Sequence, residues 1–283
     1  MNRDPSSFTK VLIYLALTVA VMVAVYPVLW VLKMAFSDSQ AFGLSASLIP
    51  ERISGANFKA LVTHTDSDGT WLFGRHMLNS VVVSAGTTLL GLFLACTAAY
   101  AFSRFRFPGR RTGLMLFLVT QMFPGVMMAI PLYILMDILG LLGTLTGLML
   151  VYSITAIPFC VFMLKGYFDT IPRELEEAAL MDGASQFVIF WKIVMPLAKP
   201  ALAVTALFSF MTAWNEFILA ATFMNDERMF TLPVALQRYV GDYTTEWGLF
   251  AAGAVIVSLP VVALFFALQR NLVGGLTAGG VKG

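Results

Sequence analysis

Few side chains in this sequence have the chemistry to act on another molecule, and they are concentrated in two places. The first is Trp214-Asn215-Glu216-Phe217, where a carboxylate stands inside an otherwise apolar stretch. Inserting such a charge near a bilayer centre costs about 2.5–3.5 kcal/mol, so Glu216 must meet a partner or a wet cavity. Two readings stay open for Asn215 and Glu216: a polar translocation path, or a structural hydrogen bond to another helix or subunit. Gln121, in Gln121-Met122-Phe123-Pro124, is a further candidate for the path. The second place is the stretch 165–199, which holds Glu174, Glu176, Glu177 and Asp182 among basic residues.

The signatures of an enzyme are missing. The sequence has no H-E-x-x-H, G-x-S-x-G or C-x-x-C, and no G-x-x-x-x-G-K-[ST] loop to cradle phosphates. Cys96 and Cys160 both lie in apolar runs, which suits small core residues and neither a disulfide framework nor a zinc site. His64 and His76 read as plain surface histidines. The chain is therefore expected to be no enzyme and to hold no cofactor or metal of its own. Any transport against a gradient must draw on an ion gradient or on another subunit.

Composition sets what must position these groups. Of the 283 residues, 59% are apolar and 12% charged, with mean hydropathy +0.82; soluble domains carry roughly a quarter charged residues. An ordinary soluble protein and a disordered one are both excluded, and a net charge of +2 gives no ground for nucleic-acid binding. A helix needs about 20 apolar residues to cross a bilayer. Six windows qualify: Val11–Leu32, Met77–Phe102, Thr112–Leu135, Gly143–Leu164, Pro200–Phe223 and Leu249–Leu268. The expected fold is an all-α polytopic membrane protein of six transmembrane helices, the first too long for a signal peptide and read as uncleaved. With the N-terminus inside, the inner segments hold twelve Lys and Arg against six outside, which favours both termini in the cytoplasm. Pro124, Pro131, Pro158 and Pro260 are expected to bend their spans. Gly143 with Gly147, and Ala95 with Ala99, are expected to allow close helix approach. The chain divides into 1–76, a first helix and outer loop; 77–271, a five-helix core with the inner loop 165–199; and 272–283, a Gly-rich tail.

Within 165–199 the pattern reads as two short helices and a corner. Pro172 can open the first, whose early acids complement the positive end of a helix dipole. Leu175, Ala178, Ala179 and Asp182 repeat at i, i+3, i+4, i+7, and Gly183 suits a left-handed stop. Ser185 can cap a second helix bearing Phe187, Phe190, Trp191 and Val194 on one face until Pro196 ends it. Such a pair makes a compact projecting knob. The alternative, an interfacial pair lying on the headgroups, is disfavoured by the acidic first helix.

The spacing here resembles that of a known family. Glu177-Ala178-Ala179, three residues, Gly183, nine residues, Ile193-Val194-Met195-Pro196 resembles the E-A-A-x3-G-x9-I-x-L-P signature of permease subunits of bacterial and archaeal ABC importers, with Met195 in place of Leu. Tyr100-Ala101-Phe102-Ser103-Arg104-Phe105-Arg106-Phe107-Pro108-Gly109, Gln121-Met122-Phe123-Pro124 and Trp214-Asn215-Glu216-Phe217 look like segments of carbohydrate-importer permeases. The tail from Gly275 to Gly283 is similar to the ending of MalG-type permeases of maltose and maltodextrin importers.

The resemblance implies a type I importer permease fold, one half of a heterodimer with a larger, MalF-like permease in a bacterial or archaeal cytoplasmic (inner) membrane. Besides membrane lipid, its implied partners are a dimer of MalK-like ATPase subunits, which hold ATP and Mg, and an extracytoplasmic sugar-binding protein. Glu177, Ala178, Ala179, Asp182 and Gly183 would dock in the ATPase and transmit its closure. Thr277, Gly279, Gly280 and Lys282 would reach between the ATPases, and the loop Met224–Trp247, with Phe230, Leu232, Pro233 and Tyr239, would face the binding protein. The implied activity is alternating-access import of an oligosaccharide, maltose or maltodextrin first, with trehalose or another sugar as alternatives. A stand-alone ion-coupled carrier or channel is the competing class, and it would not need the knob.

Overall fold

The structure, a computed structural model, describes residues 6–40, 47–241 and 245–280, with side chains described to Gln269. Among the described residues there is no strand, only isolated bridges at Thr65–Trp71 and Val240–Thr245. The helices are α1 (Ser7–Ala35), α2 (Ala56–Val62), α3 (Leu72–Arg104), α4 (Arg110–Met122), α5 (Gly125–Ile138), α6 (Leu145–Phe168) and α7 (Glu174–Met181). There follow α8 (Gln186–Ile189), a π turn (Phe190–Val194), α9 (Met195–Leu197), α10 (Lys199–Trp214), α11 (Ile218–Phe223), α12 (Leu232–Gln237) and α13 (Trp247–Gly280).

Each of the six apolar windows is mostly helical, two of them with a break. Four lie in unbroken helices long and apolar enough to cross a bilayer: α1, α3, α6 and the part of α13 from Trp247 to Gln269. The third window is split, with α4 and α5 meeting at 104°. Pro124 has no N–H to continue the helix and drives the residue before it out of the helical region, which leaves Phe123 extended at ψ 129. The fifth window is split as well, ending α10 at Trp214 and restarting as α11 at Ile218, so Glu216 stands in a gap and not within a helix. Pro131, Pro158 and Pro260 stay inside their helices.

The chain forms two compact units. The first joins Met1–Phe73 to Leu236–Leu259. Its small core of Ala35, Ala251 and Ala252 is clipped by buried Asn57, which donates to the carbonyls of Ala35 (3.3 Å) and Ser37 (2.7 Å) and accepts from Nε2 of Gln40 (2.6 Å). Most of α1 is apolar and exposed on every side, the pattern of a helix bathed in lipid or covered by another subunit.

The second unit comprises Gly74–Ala235 and the chain from Pro260 on. One apolar cluster, around Cys160, Leu164, Phe168, Ile189 and Phe190, packs α3 and α6 against the 165–199 stretch. Ala95 and Ala99 are fully buried in it. The other, around Val83, Met136, Val151 and Phe223, packs α3, α5, α6 and α11 together. Gly147 departs from expectation. It faces the backbone carbonyl of Leu141 in the corner before α6, where a Cβ would not fit, and Gly143 takes φ +73 in that corner, so the first serves by its size and the second by its backbone freedom.

Candidate functional site

The stretch 165–199 forms a helical hairpin. Helix α7 begins two residues after Pro172 with Glu174, Glu176 and Glu177 in its first turn. Gly183, at φ +82, turns the chain out of it, a conformation in which a Cβ costs about 1–2 kcal/mol. Oγ of Ser185 then accepts from the Val188 N–H at 3.4 Å and starts α8. The second arm does not stop at Pro196 but runs to Leu197. A proline lacks a donor and crowds the carbonyl four residues back; the wider π turn of Phe190–Val194, closed by the Met195 N–H on the Phe190 carbonyl, takes up both defects.

The arm's aromatic face is also divided. Ile189, Phe190 and Val194 are buried in the unit's core, which turns Phe187 and Trp191 outward. Met181 and Phe187 are 89% and 72% exposed, and Leu175 and Leu180 are exposed beside them. Glu177, Ala178, Asp182 and Gly183 are exposed and Ala179 is half-buried. The five candidate docking residues thus share one hairpin with an open apolar tip.

What holds this hairpin comes from the end of α3. Nε of Arg104 lies 2.5 Å from Oε1 of Glu176, with the two side chains 7% and 10% exposed. Nη2 of Arg104 donates to the Ile171 carbonyl at 3.0 Å. The Tyr100 hydroxyl donates to Oε2 of Glu176 at 3.1 Å and lies 3.2 Å from the Gln186 amide. Ser103 donates to Oδ1 of Asp169 at 2.6 Å, and Lys165 to Oδ2 at 2.5 Å. Burial works to raise the Asp169 carboxyl, but these two hydrogen bonds and the Lys165 and Arg104 charges outweigh it and hold it below its ordinary value. Tyr100, Ser103, Arg104, Asp169 and Glu176, which hold the hairpin to α3, lie outside the spacing signature.

At the break in the fifth window, Glu216 is fully engaged. Its Oε2 accepts from the Tyr152 hydroxyl at 2.6 Å and from the Ala220 N–H at 3.1 Å, and its Oε1 from the Leu219 N–H at 2.9 Å. The carboxylate therefore caps α11 and ties it to α6. Asn215 is exposed. Nε2 of Gln121 donates to the Thr155 carbonyl of α6 at 3.2 Å. Gln121 and Glu216 thus meet α6 three residues apart, while no hydrogen bond joins the three path candidates among the described residues.

The loop after α11 folds back on α3. Nε2 of His76 lies 2.8 Å from the Glu227 carbonyl, Nδ2 of Asn79 donates to the carbonyls of Arg228 and Phe230 at 3.0 Å each, and the Leu232 N–H donates to Oγ of Ser80 at 2.7 Å. His76 is therefore 5% exposed and not a surface histidine, whereas His64 is exposed. Phe230 and Leu232 are buried anchors of this loop, and Pro233 and Tyr239 are half-buried. The tail positions Thr277, Gly279, Gly280 and Lys282 lie outside the residues whose side chains are described. Among the described residues no three metal-ligating side chains cluster.

Residues 87–277 match the family described as binding-protein-dependent transport system inner membrane component. The chain is 39% identical over 275 residues to the galactooligosaccharides transport system permease protein GanQ of Bacillus subtilis (strain 168), covering 95% of this chain and 94% of that one. It is 37% identical over 281 residues to the maltodextrin transport system permease protein MdxG of the same organism, covering 97% and 96%. Among solved structures, a chain of a bacterial ABC transporter involved in the import of the acidic polysaccharide alginate matches with a TM-score of 0.79 at 25% identity, over 95% of this chain and 99% of that one. Both relatives are permeases, in agreement with a transport subunit that has no phosphate-binding loop of its own. Matched nearly end to end at this identity, with most of its length inside the family's boundaries, the chain belongs to the inner-membrane components of binding-protein-dependent transport systems.

Proposed function

We propose that this chain is one half of the membrane pathway of an ATP-driven oligosaccharide importer, with both termini cytoplasmic. It works beside a second, larger permease, takes sugar from an extracytoplasmic binding protein, and is driven by two ATPase subunits that hold ATP and Mg. One observation carries the coupling role. Met181 and Phe187 present an open apolar tip, while Arg104 and Glu176 fix the base of the same hairpin to α3. A lever needs both, a surface for its driver and a stiff joint to the load.

Closure of the ATPases pulls on Glu177 to Gly183, and the joint passes that displacement to α3. The bundle turns outward to accept sugar, and hydrolysis lets it relax inward. Glu216 serves the pathway by fixing the break between α10 and α11. The twelve-to-six Lys and Arg asymmetry supports placing the hairpin on the ATP side.

Maltodextrin is the proposed cargo, supported by the likeness of the tail to MalG-type endings and by the identity to MdxG. The 39% identity to GanQ makes a galactooligosaccharide the second reading. Uptake of each sugar into vesicles holding the purified complex and its binding protein decides between them. ATP-dependent maltodextrin uptake is expected, and uptake of galactooligosaccharide alone would replace that assignment.

A further inference from the structure

Arg106, Arg110, Arg111 and Lys165 converge on one cavity of about 490 Å³ between the α3–α4 loop and the end of α6, completed by Thr112 and Leu114. Its size falls within the roughly 300–1,000 Å³ of small-ligand clefts. Nε of Arg110 donates to the Phe102 carbonyl at 2.8 Å, and Lys165 is paired with Asp169 at 2.5 Å. Arg106 and Arg111 are exposed and have no acidic partner among the described residues. Four cations line the cavity and no carboxylate does, Asp169 pairing with Lys165 from outside the lining, which leaves the cavity strongly positive. It also lies at the start of α4, a 13-residue helix whose N-cap, Gly109, supplies no side-chain acceptor. Arg111 and Thr112, in that uncapped first turn, both line the cavity, so the positive end of the helix adds to the side-chain charge.

A second feature says what kind of anion belongs there. Beyond the cavity α4 continues as an exposed apolar surface, with Met115, Leu116 and Leu118 between 51% and 59% exposed and Met122 81% exposed. A soluble phosphate would use the cations and leave that surface unmet. A molecule with a phosphate headgroup and hydrocarbon chains uses both. We propose that this cavity binds the headgroup of an anionic phospholipid, with its acyl chains along α4. Arg110, Arg111 and the helix terminus hold the phosphate oxygens, and Arg106 and Lys165 close the rim. The proposal rests on the membrane-spanning reading of α4 and not on cargo or ATPase, so its failure in an active transporter leaves the importer reading standing.

Native mass spectrometry of the purified, complete transporter in detergent tests this. The complex is supplied with phosphatidylglycerol, with phosphatidylcholine of the same chains, or with phosphatidylglycerol plus inorganic phosphate. The wild type is expected to retain phosphatidylglycerol over phosphatidylcholine, and inorganic phosphate is expected not to displace it. Arg106→Gln with Arg111→Gln is expected to weaken retention by about 10-fold or more, the scale for two basic side chains at an anionic surface. Arg106→Lys with Arg111→Lys is expected to restore most of it. Equal retention of the two lipids by the wild type, or unchanged retention by the Gln pair, would overturn the site. Displacement by inorganic phosphate would overturn the lipid as its occupant. Should the Gln pair not assemble, the wild-type comparison of lipids and phosphate still decides.

Discussion

Nε of Arg104 meets Oε1 of Glu176 at 2.5 Å across 72 positions of sequence. The pair ties the last residue of α3 to the first turn of α7, and both side chains are almost dry. Removing one partner of such a pair strands the other charge at a cost of about 3 kcal/mol. Glu176→Gln is expected to lower the melting temperature of the complex and to reduce sugar moved per ATP hydrolysed more than ATP hydrolysis itself. The swap Arg104→Glu with Glu176→Arg should recover part of both. A Glu176→Gln transporter with unchanged coupling ratio would remove the joint from the mechanism.

Gly183 carries a different load. At φ +82 it has open space where a Cβ would go, so substitution there strains the backbone and clashes with nothing. Gly183→Leu is expected to cost about 1–2 kcal/mol in the hairpin, with Gly183→Asn milder because Asn tolerates the left-handed region. Co-purification of the ATPase should fall for Leu while the membrane bundle stays inserted. Unchanged ATP-driven uptake would count against the docking role.

Glu216 is expected to matter for shape. Glu216→Ala leaves two N–H groups of α11 and the Tyr152 hydroxyl without their acceptor, at a cost of about 1–3 kcal/mol. Tyr152→Phe removes one of these bonds and should cost less. Thermal unfolding of the assembled complex measures both. If Glu216→Ala leaves assembly and uptake intact, neither a structural nor a path role survives.

Asp169 supplies a pH dependence. Its carboxyl is held below the ordinary value of 3.8 in the folded protein, so its contribution is complete above that value and is lost as the pH falls through the lower folded one. Asp169→Asn should therefore lower the melting temperature at neutral pH. The gap from wild type should close in acid below about pH 3.8. A gap independent of pH would mean that the Lys165 and Ser103 contacts do not depend on the charge.

Much of the architecture was legible because bilayer thickness imposes long apolar windows that composition alone exposes. The hairpin corner was legible too, since Gly183 and Ser185 are local devices. The breaks were less so: Pro124 announces a bend but not one of 104°, and the gap at Glu216 depends on a carboxylate capping N–H groups three and four residues later, which apolar counting passes over. Which acid of Glu174, Glu176 and Glu177 is buried depends on Arg104, far away in the chain. For the same reason His76, read as a surface histidine, is buried by a returning loop; Phe187 parts from the face that the spacing predicts it to share with Phe190 and Val194, which pack in.

Oligosaccharide uptake into vesicles containing the purified permease pair and binding protein, with and without the ATPase subunits and ATP, tests the central claim most directly. Uptake should require the ATPase and ATP together, and should fail when Met181→Asp places a charge on the hairpin tip. Uptake that proceeds without the ATPase, or that survives Met181→Asp undiminished, would contradict it.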